Sequence, residues 1–358
     1  MSDAGCLLEQ IPSGEFARRL RAGDGRDDAF PLSASIDFTE RCNLRCRHCF
    51  LGERGAEAAE MDAREVRRTL DVLRDLGTLF LVITGGEPLL RPDFDSLYRH
   101  AKRCGFVLTL FSNGTLMDDR AVGVLVDAPP RRIEITIYGH TEAVYESVTG
   151  VPGSYRRFRA GVDALLRRGL LVRLKSMVMK TNVHELDAMR DWATGLGCEF
   201  RYDAVLHPRW DGDTVPLRER LDADTAAALR RRDREQGLAS GGIPAPDLPP
   251  LPPRQRFFEC GAGIMTLHVD ARNRAHPCMS WRLDPFDLGG HPSVRAWNEH
   301  VCAIRNRPPP GGACDACADR ARCSCCPALA VLETGSPAGT PPFFCRLARG
   351  SVALTVGG

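Results

Sequence analysis

From Ser33 onward the chain alternates between short apolar runs and segments whose apolar residues recur every three or four positions. Ser33–Thr39 alternates polar and apolar, the pattern of a strand with one buried face. Leu79–Thr84, Phe106–Ser112, Arg132–Tyr138, Leu170–Met179 and Cys198–Leu206 repeat the signal, so six strands are predicted. The segment Met61–Leu76 predicts a helix, because Asp62 can cap it with Glu65 three residues later, Val66, Leu70 and Leu73 share a face, and Gly77 ends it. Further helices are expected over Asp93–Cys104, near Asp118–Asp127, over Ser154–Arg168 and over His184–Leu196. Strand–helix units in series imply parallel strands, since each helix must carry the chain back across the sheet. The expected fold class is α/β, with residues 33–215 forming an open six-stranded partial (βα)6 barrel of TIM type. In such barrels the C-terminal strand ends carry the site.

Outside this span the pattern changes. Residues 1–32 are charged and glycine-dotted and read as an N-terminal extension. After residue 215 comes one arginine-rich helix, Ala223–Glu235, and then GGIPAPDLPPLPPR. Proline at that density joins neither a sheet nor a helix interior, so residues 216–256 read as a linker. Residues 257–358 form a second, small, cysteine-rich α+β unit with a hairpin over Met265–Asp270 and Ala275–Ser280.

A hydrophobic content of 43% in 358 residues supplies ample core. The net charge of +2 gives no reason to expect nucleic acid or an anionic membrane as partner. No apolar run is long enough to span a bilayer, and the N-terminus lacks a basic region followed by an apolar one. Fifteen cysteines in a long chain without an export signal point to metal binding in a reducing cytoplasm.

The first strand runs into RCNLRCRHCF, with Cys42, Cys46 and Cys49 at Cys-x3-Cys-x2-Cys spacing. Three thiolates hold only three irons of a cubane [4Fe–4S] cluster and leave one open to a small molecule. A zinc knuckle or a redox pair is the alternative on spacing alone. The second strand ends in Thr84-Gly85-Gly86-Glu87-Pro88, and Ser112-Asn113-Gly114-Thr115 follows the third, so both turns share the cysteine loop's rim.

This combination resembles the radical S-adenosylmethionine (radical SAM) enzymes. The resemblance implies that Cys42, Cys46 and Cys49 bind the cluster and that its open iron chelates S-adenosylmethionine. It further implies reductive cleavage to a 5′-deoxyadenosyl radical that removes a hydrogen atom from the substrate, with a flavodoxin- or ferredoxin-type reductant. Gly85, Gly86, Glu87 and Pro88 fall where the family contacts the methionyl amino group, while Ser112, Asn113 and Thr136 are candidates for ribose or carboxylate contacts. His48 stands where the family usually has an aromatic residue. Lys175, Tyr202 and Asp203 are candidates for the substrate side, although alternation alone does not say which face points inward.

The C-terminal cysteines, read by spacing alone, also admit a zinc ribbon. Their layout resembles the SPASM extension of the family, which holds two auxiliary [4Fe–4S] clusters. Carried over, Cys260, Cys278 and Cys326 serve the first cluster, and Cys314, Cys317, Cys323 and Cys345 the second. Asn273 replaces a usual glycine and can adopt the same left-handed turn. The gap between Cys323 and Cys326 is one residue short, and Cys325 sits inside it, so either Cys325 or Cys326 is the expected ligand there. No cysteine lies shortly before Cys260, which leaves room for an open iron at the first auxiliary cluster. Cys6, Cys104, Cys198, Cys302 and Cys325 are unassigned; most read as small buried fillers. Cys198 is the candidate hydrogen-atom donor to a substrate radical.

Proteins of this layout mostly modify peptides, so the expected function is maturation of a ribosomally made peptide through a thioether or carbon–carbon crosslink. The residues ahead of the first strand are few for a winged leader-binding domain, so a separate leader-binding protein or a cleft on the barrel is expected. Sulfatase maturation is an alternative, against which stands Met279, where that group carries an acidic residue. Cofactor biosynthesis on haem or quinone precursors is another. A non-catalytic iron–sulfur electron carrier would need neither an open iron nor the Gly-Gly-Glu turn.

Overall fold

The computed structural model describes residues 31–51, 60–236, 253–289 and 293–351. Cys6, most of the expected N-terminal extension and most of the proline-rich stretch lie outside these residues.

Six parallel strands stand side by side in chain order: β1 (Ser33–Thr39), β2 (Phe80–Gly85), β3 (Val107–Ser112), β4 (Arg132–Thr136), β5 (Val172–Met177) and β6 (Glu199–Asp203). Helices α1 (Ala63–Asp75), α2 (Phe94–Arg103), α3 (Asp119–Asp127), α4 (Glu142–Thr149), α5 (Ser154–Arg167) and α6 (Leu186–Gly195) connect them. This is the expected open α/β barrel. The strands' alternation decides its two faces: Ile36, Leu81, Ile83, Leu108, Leu110, Ile133, Ile135 and Leu174 pack into one apolar core beneath the helices. The alternate residues, including Asp37, Thr109, Glu134, Thr136 and Lys175, therefore face the barrel lumen.

The capping box of α1 forms as expected: Asp62 Oδ1 accepts from Arg64 N and Glu65 N, and Asp62 N donates to Glu65 Oε2 at 2.8 Å. Helix α4 is not foreseen by the sequence reading. Thr141 caps its start by accepting from Val144 N, and Gly150 closes it in the left-handed region at φ 66°.

Beyond the barrel, α7 (Ala223–Glu235) precedes β7 (Thr266–Val269), β8 (Arg274–His276) and β9 (Phe286–Asp287), then α8 (Val294–Arg305), α9 (Pro327–Thr334) and α10 (Pro342–Gly350). The hairpin of β7 and β8 is antiparallel, as predicted, with Asn273 in its turn at φ 63°. Strand β7 also pairs in parallel with β1, from Ser33↔Thr266 to Ile36↔Val269, so one nine-stranded sheet runs through both parts. The Thr69 hydroxyl on α1 adds a 2.7 Å bond to Asn273 Oδ1. Helix α7 shares a second apolar cluster with α10 through Ala226, Ala227, Phe344 and Leu347. Phe257, Phe258 and Trp281 form a third, with edge-to-face ring centroids at 5.2 and 5.4 Å about Trp281.

Candidate active site

The cysteine loop leaves the end of β1 and is held from two sides. On one side α4 anchors it, as Arg45 N donates to Thr149 O at 2.8 Å and Arg47 N to Val148 O at 3.1 Å. On the other side the Gly-Gly-Glu turn crosses its base: Gly86 N donates to Thr39 O at 2.7 Å and Glu87 N to Arg41 O at 2.8 Å. A Cβ on Gly85 would lie 2.2 Å from Thr39 O, and one on Gly86 2.1 Å from Arg41 O, so only glycine permits this approach.

The loop's three thiols converge. Each of Cys42 and Cys46 is disfavoured as a thiolate first by burial and then in part by its neighbours' charge, Cys42 being pushed up to about 11 and Cys46 beyond it. Nearby donors face the sulfurs: Leu44 N lies 3.4 Å from Cys42 Sγ, Asn113 Nδ2 lies 3.8 Å from it, and Tyr138 bonds Cys46. Thiols that repel one another as anions suit a polycation, which deprotonates its ligands outright. One zinc ion with bonds of about 2.3 Å would hold its sulfurs about 3.8 Å apart. Among the described residues, the one set of His, Cys, Asp or Glu ligand atoms within 4.8 Å of one another is Asp71 on α1, His100 on α2 and Cys104 just past α2. The loop thiols are not a set of that kind.

His48 packs against Tyr138 with ring centroids 5.1 Å apart. Burial pulls its pKa down to about 4, so it fills an aromatic position as a neutral ring.

Glu87 is fully buried, and its carboxylate is committed within the protein. It accepts from Asn113 N at 2.7 Å, Ser112 Oγ at 2.9 Å and Leu89 N at 3.3 Å, while burial raises its pKa to about 7. It thereby ties the end of β2 to the end of β3, and leaves the turn's backbone to face the loop. Asn113 extends the tie, donating from Nδ2 to Asn43 Oδ1 at 2.9 Å and accepting from Thr115 N at 2.9 Å. Asn43 in turn donates to Thr115 Oγ1 at 2.8 Å. The sequence analysis names Thr115 only as part of its turn and does not single out Asn43, although Asn43 adjoins Cys42.

Thr136 ends β4 on the lumen face, in register with Lys175. Lys175 Nζ lies 2.9 Å from the Phe111 ring centroid and 3.6 Å from Glu134 Oε2, and burial lowers its pKa to about 7. Asp203 shares that side, whereas Tyr202 turns outward to Asp233 on α7. Cys198 is not brought to the rim. It precedes β6 at the opposite, N-terminal end of the parallel sheet, buried in the core, so the candidate hydrogen-atom donor is corrected to a packed thiol.

In the C-terminal part the thiols gather in two groups. Cys326 feels Cys278 and Cys260. The Cys260 loop is tethered by Arg305, whose guanidinium donates to Cys260 O and Ala262 O, each at 2.9 Å. Cys323 feels Cys345, Cys314 and Cys317 instead. Burial is the main cause that raises both pKa values.

Among the described residues no helix is long and apolar enough to cross a membrane. Residues 36–193 match the model of the Radical SAM superfamily. An AdoMet-dependent heme synthase of Methanosarcina barkeri is 30% identical over 188 residues, 51% of this chain and 53% of that protein. The antilisterial bacteriocin subtilosin biosynthesis protein AlbA of Bacillus subtilis is 27% identical over 265 residues, 72% of this chain and 57% of its own. The chain thus spans little more than half the length of these two relatives. The crystal structure of Streptococcus suis SuiB bound to S-adenosylmethionine superposes with a TM-score of 0.68 at 18% identity, covering 90% of this chain and 79% of that one. SuiB bound to its precursor peptide SuiA gives 0.67 at 14%, covering 95% and 82%. Enzymes of this kind use a [4Fe–4S] cluster and S-adenosylmethionine, and over residues 36–193 the chain carries a domain of the Radical SAM superfamily, followed by a cysteine-rich extension.

Proposed function

We propose that this chain oxidatively modifies a ribosomally made peptide, forming a thioether or carbon–carbon crosslink. The observation that carries the radical chemistry is the convergence of Cys42, Cys46 and Cys49 on the rim where the Gly-Gly-Glu and Ser112-Asn113 turns meet. These three thiols would hold a [4Fe–4S] cluster that takes S-adenosylmethionine. When bound, the pair supplies one-electron cleavage of the sulfonium and hydrogen-atom abstraction from the substrate. The protein's own groups do the rest. Backbone of Gly85 and Gly86 faces the methionyl ammonium, and Ser112, Asn113 and Thr136 orient ribose and carboxylate. The lumen residues Lys175 and Asp203 position the substrate and keep water away.

Cys260, Cys278 and Cys326 hold the first auxiliary cluster, and Cys314, Cys317, Cys323 and Cys345 the second. Auxiliary clusters fit an oxidative outcome, because the electron left on the substrate needs an acceptor. The reductant is a flavodoxin or ferredoxin, and a leader-binding protein or a cleft on the barrel presents the peptide. Similarity to AlbA and the fold shared with SuiB support the peptide reading. A haem-precursor substrate is the second reading, favoured by the heme synthase relative.

The test is anaerobic: reconstituted protein should cleave S-adenosylmethionine to 5′-deoxyadenosine. Cys46→Ala should abolish that cleavage while keeping the auxiliary-cluster iron. Retained cleavage in Cys46→Ala contradicts the site. Stimulation by a haem precursor and not by candidate peptides transfers the function to the second reading.

A further inference from the structure

The run Cys323-Ser324-Cys325-Cys326 carries three thiols in four residues, one more than two clusters with the assigned ligands require. Its backbone is extended at both ends, with ψ 128° at Cys323 and φ −128°, ψ 171° at Cys326. In extended chain, alternate side chains share a side. Cys323 and Cys325 therefore point one way and Cys326 the other. The surroundings agree. Cys326 meets Cys278 and Cys260, whereas Cys325 sits among Cys323, its neighbour Cys326, Cys314 and Cys345, which all press on its charge after burial itself. Cys314, Cys317, Cys323, Cys325, Cys326 and Cys345 line one cavity. Cys325 N also donates to Cys323 Sγ at 3.5 Å, so the two residues are linked at the cavity wall. Pro327 at the start of α9 fixes the run on one side, and the apolar cluster of Phe343 and Phe344 receives Cys323 and Cys325 on the other.

We propose that the second auxiliary site is a five-thiol site, in which Cys325 can replace Cys323 as an iron ligand. The inference rests on the auxiliary-cluster reading above. The exchange is redox-neutral: one iron–sulfur bond to Cys323 breaks, one to Cys325 forms, and the proton of the Cys325 thiol passes to the released Cys323 thiolate or, in a serine variant, to solvent. The shortened Cys323–Cys326 gap then has a physical consequence. With Cys325 bound at the second site and Cys326 at the first, one peptide unit joins the ligands of both clusters, whose Cα atoms stand about 3.8 Å apart.

The test counts iron and sulfide per full-length chain after anaerobic reconstitution and records the electron paramagnetic resonance of the reduced auxiliary clusters. Cys314→Ser, Cys317→Ser and Cys345→Ser together leave two thiols at the site, too few to hold a cubane, and should cost about four irons per chain. Cys323→Ser alone and Cys325→Ser alone each keep four thiols and should keep all four irons, with a shifted signal in Cys323→Ser. The Cys323→Ser, Cys325→Ser double variant keeps three thiols and should lose its one thiol-free iron on mild oxidation, giving the signal of a three-iron cluster. That signal in either single variant, or its absence from the double variant, overturns the proposal. If the three cysteines can be replaced together without iron loss, the auxiliary-site reading itself fails and takes this inference with it. The unchanged signal of the barrel cluster in the presence of S-adenosylmethionine shows in every case that the variant has folded.

Discussion

Replacing Gly86 by alanine tests whether the Gly-Gly-Glu turn clamps the cysteine loop. The new methyl group would lie 2.1 Å from Arg41 O and 2.7 Å from Glu40 O, both backbone atoms that cannot rotate aside. Ordinary contact needs roughly 1 Å more, and that retreat breaks Gly86 N–Thr39 O and Glu87 N–Arg41 O. Two buried hydrogen bonds at about 1 kcal/mol each, plus about 1–3 kcal/mol of overpacking, give a loss of about 3–5 kcal/mol. Gly195 at the end of α6 is the control, since nothing lies within 4 Å of its added Cβ. Gly195→Ala should be neutral or gain about 0.5–1 kcal/mol. Anaerobic urea unfolding of both variants, with iron counted on the same samples, reads the difference. A Gly86→Ala protein that unfolds at the wild-type midpoint and keeps its full iron would refute the clamp.

Glu87 makes stability depend on pH. Its folded pKa of about 7 stands above the unfolded value of 4.5, so the folded state keeps its proton to higher pH than the open chain does. Its contribution to stability should fall as pH rises through that window, by about 3 kcal/mol in all. Urea midpoints at several pH values should show this fall in the wild type and lack it in Glu87→Gln; parallel curves would contradict it. Asn273→Ala should cost about 1–3 kcal/mol, because alanine strains at φ 63° and the Thr69 bond is lost. Asn273→Gly, which removes only the bond, should recover part of that loss in the same assay. Asp62→Ala removes an N-cap that accepts two backbone N–H groups and should lower stability by about 1 kcal/mol, measured by thermal unfolding.

The barrel was legible because its signals are local. Each strand has a run of alternating or continuous apolar residues, and the helices carry caps and stops such as Asp62, Gly77 and Gly105. Helix α4 escaped because eight residues give barely two turns of periodicity. Thr141 before it, Gly150 after it, and Tyr145 and Val148 on one face were the signal that could have found it. The lumen face of Lys175 was open in sequence and is settled by its neighbours Val172 and Leu174 entering the helix-covered core. By sequence the helix Ala223–Glu235 belongs to a linker, but its alanine face packs on α10, more than a hundred residues later. Such a contact leaves no local trace. The same holds for Glu87, whose place in a conspicuous turn gave no sign that Ser112 and Asn113 would occupy its carboxylate.

The pairing of β1 with β7 means that the strand feeding the cysteine loop has a neighbour on each side. A chain cut before β7 would turn β1 into an edge, with a row of bare amides and carbonyls open to a second molecule. The severed barrel should therefore self-associate, and in the intact protein the Ile36 amide should rank among the slowest to exchange with deuterium.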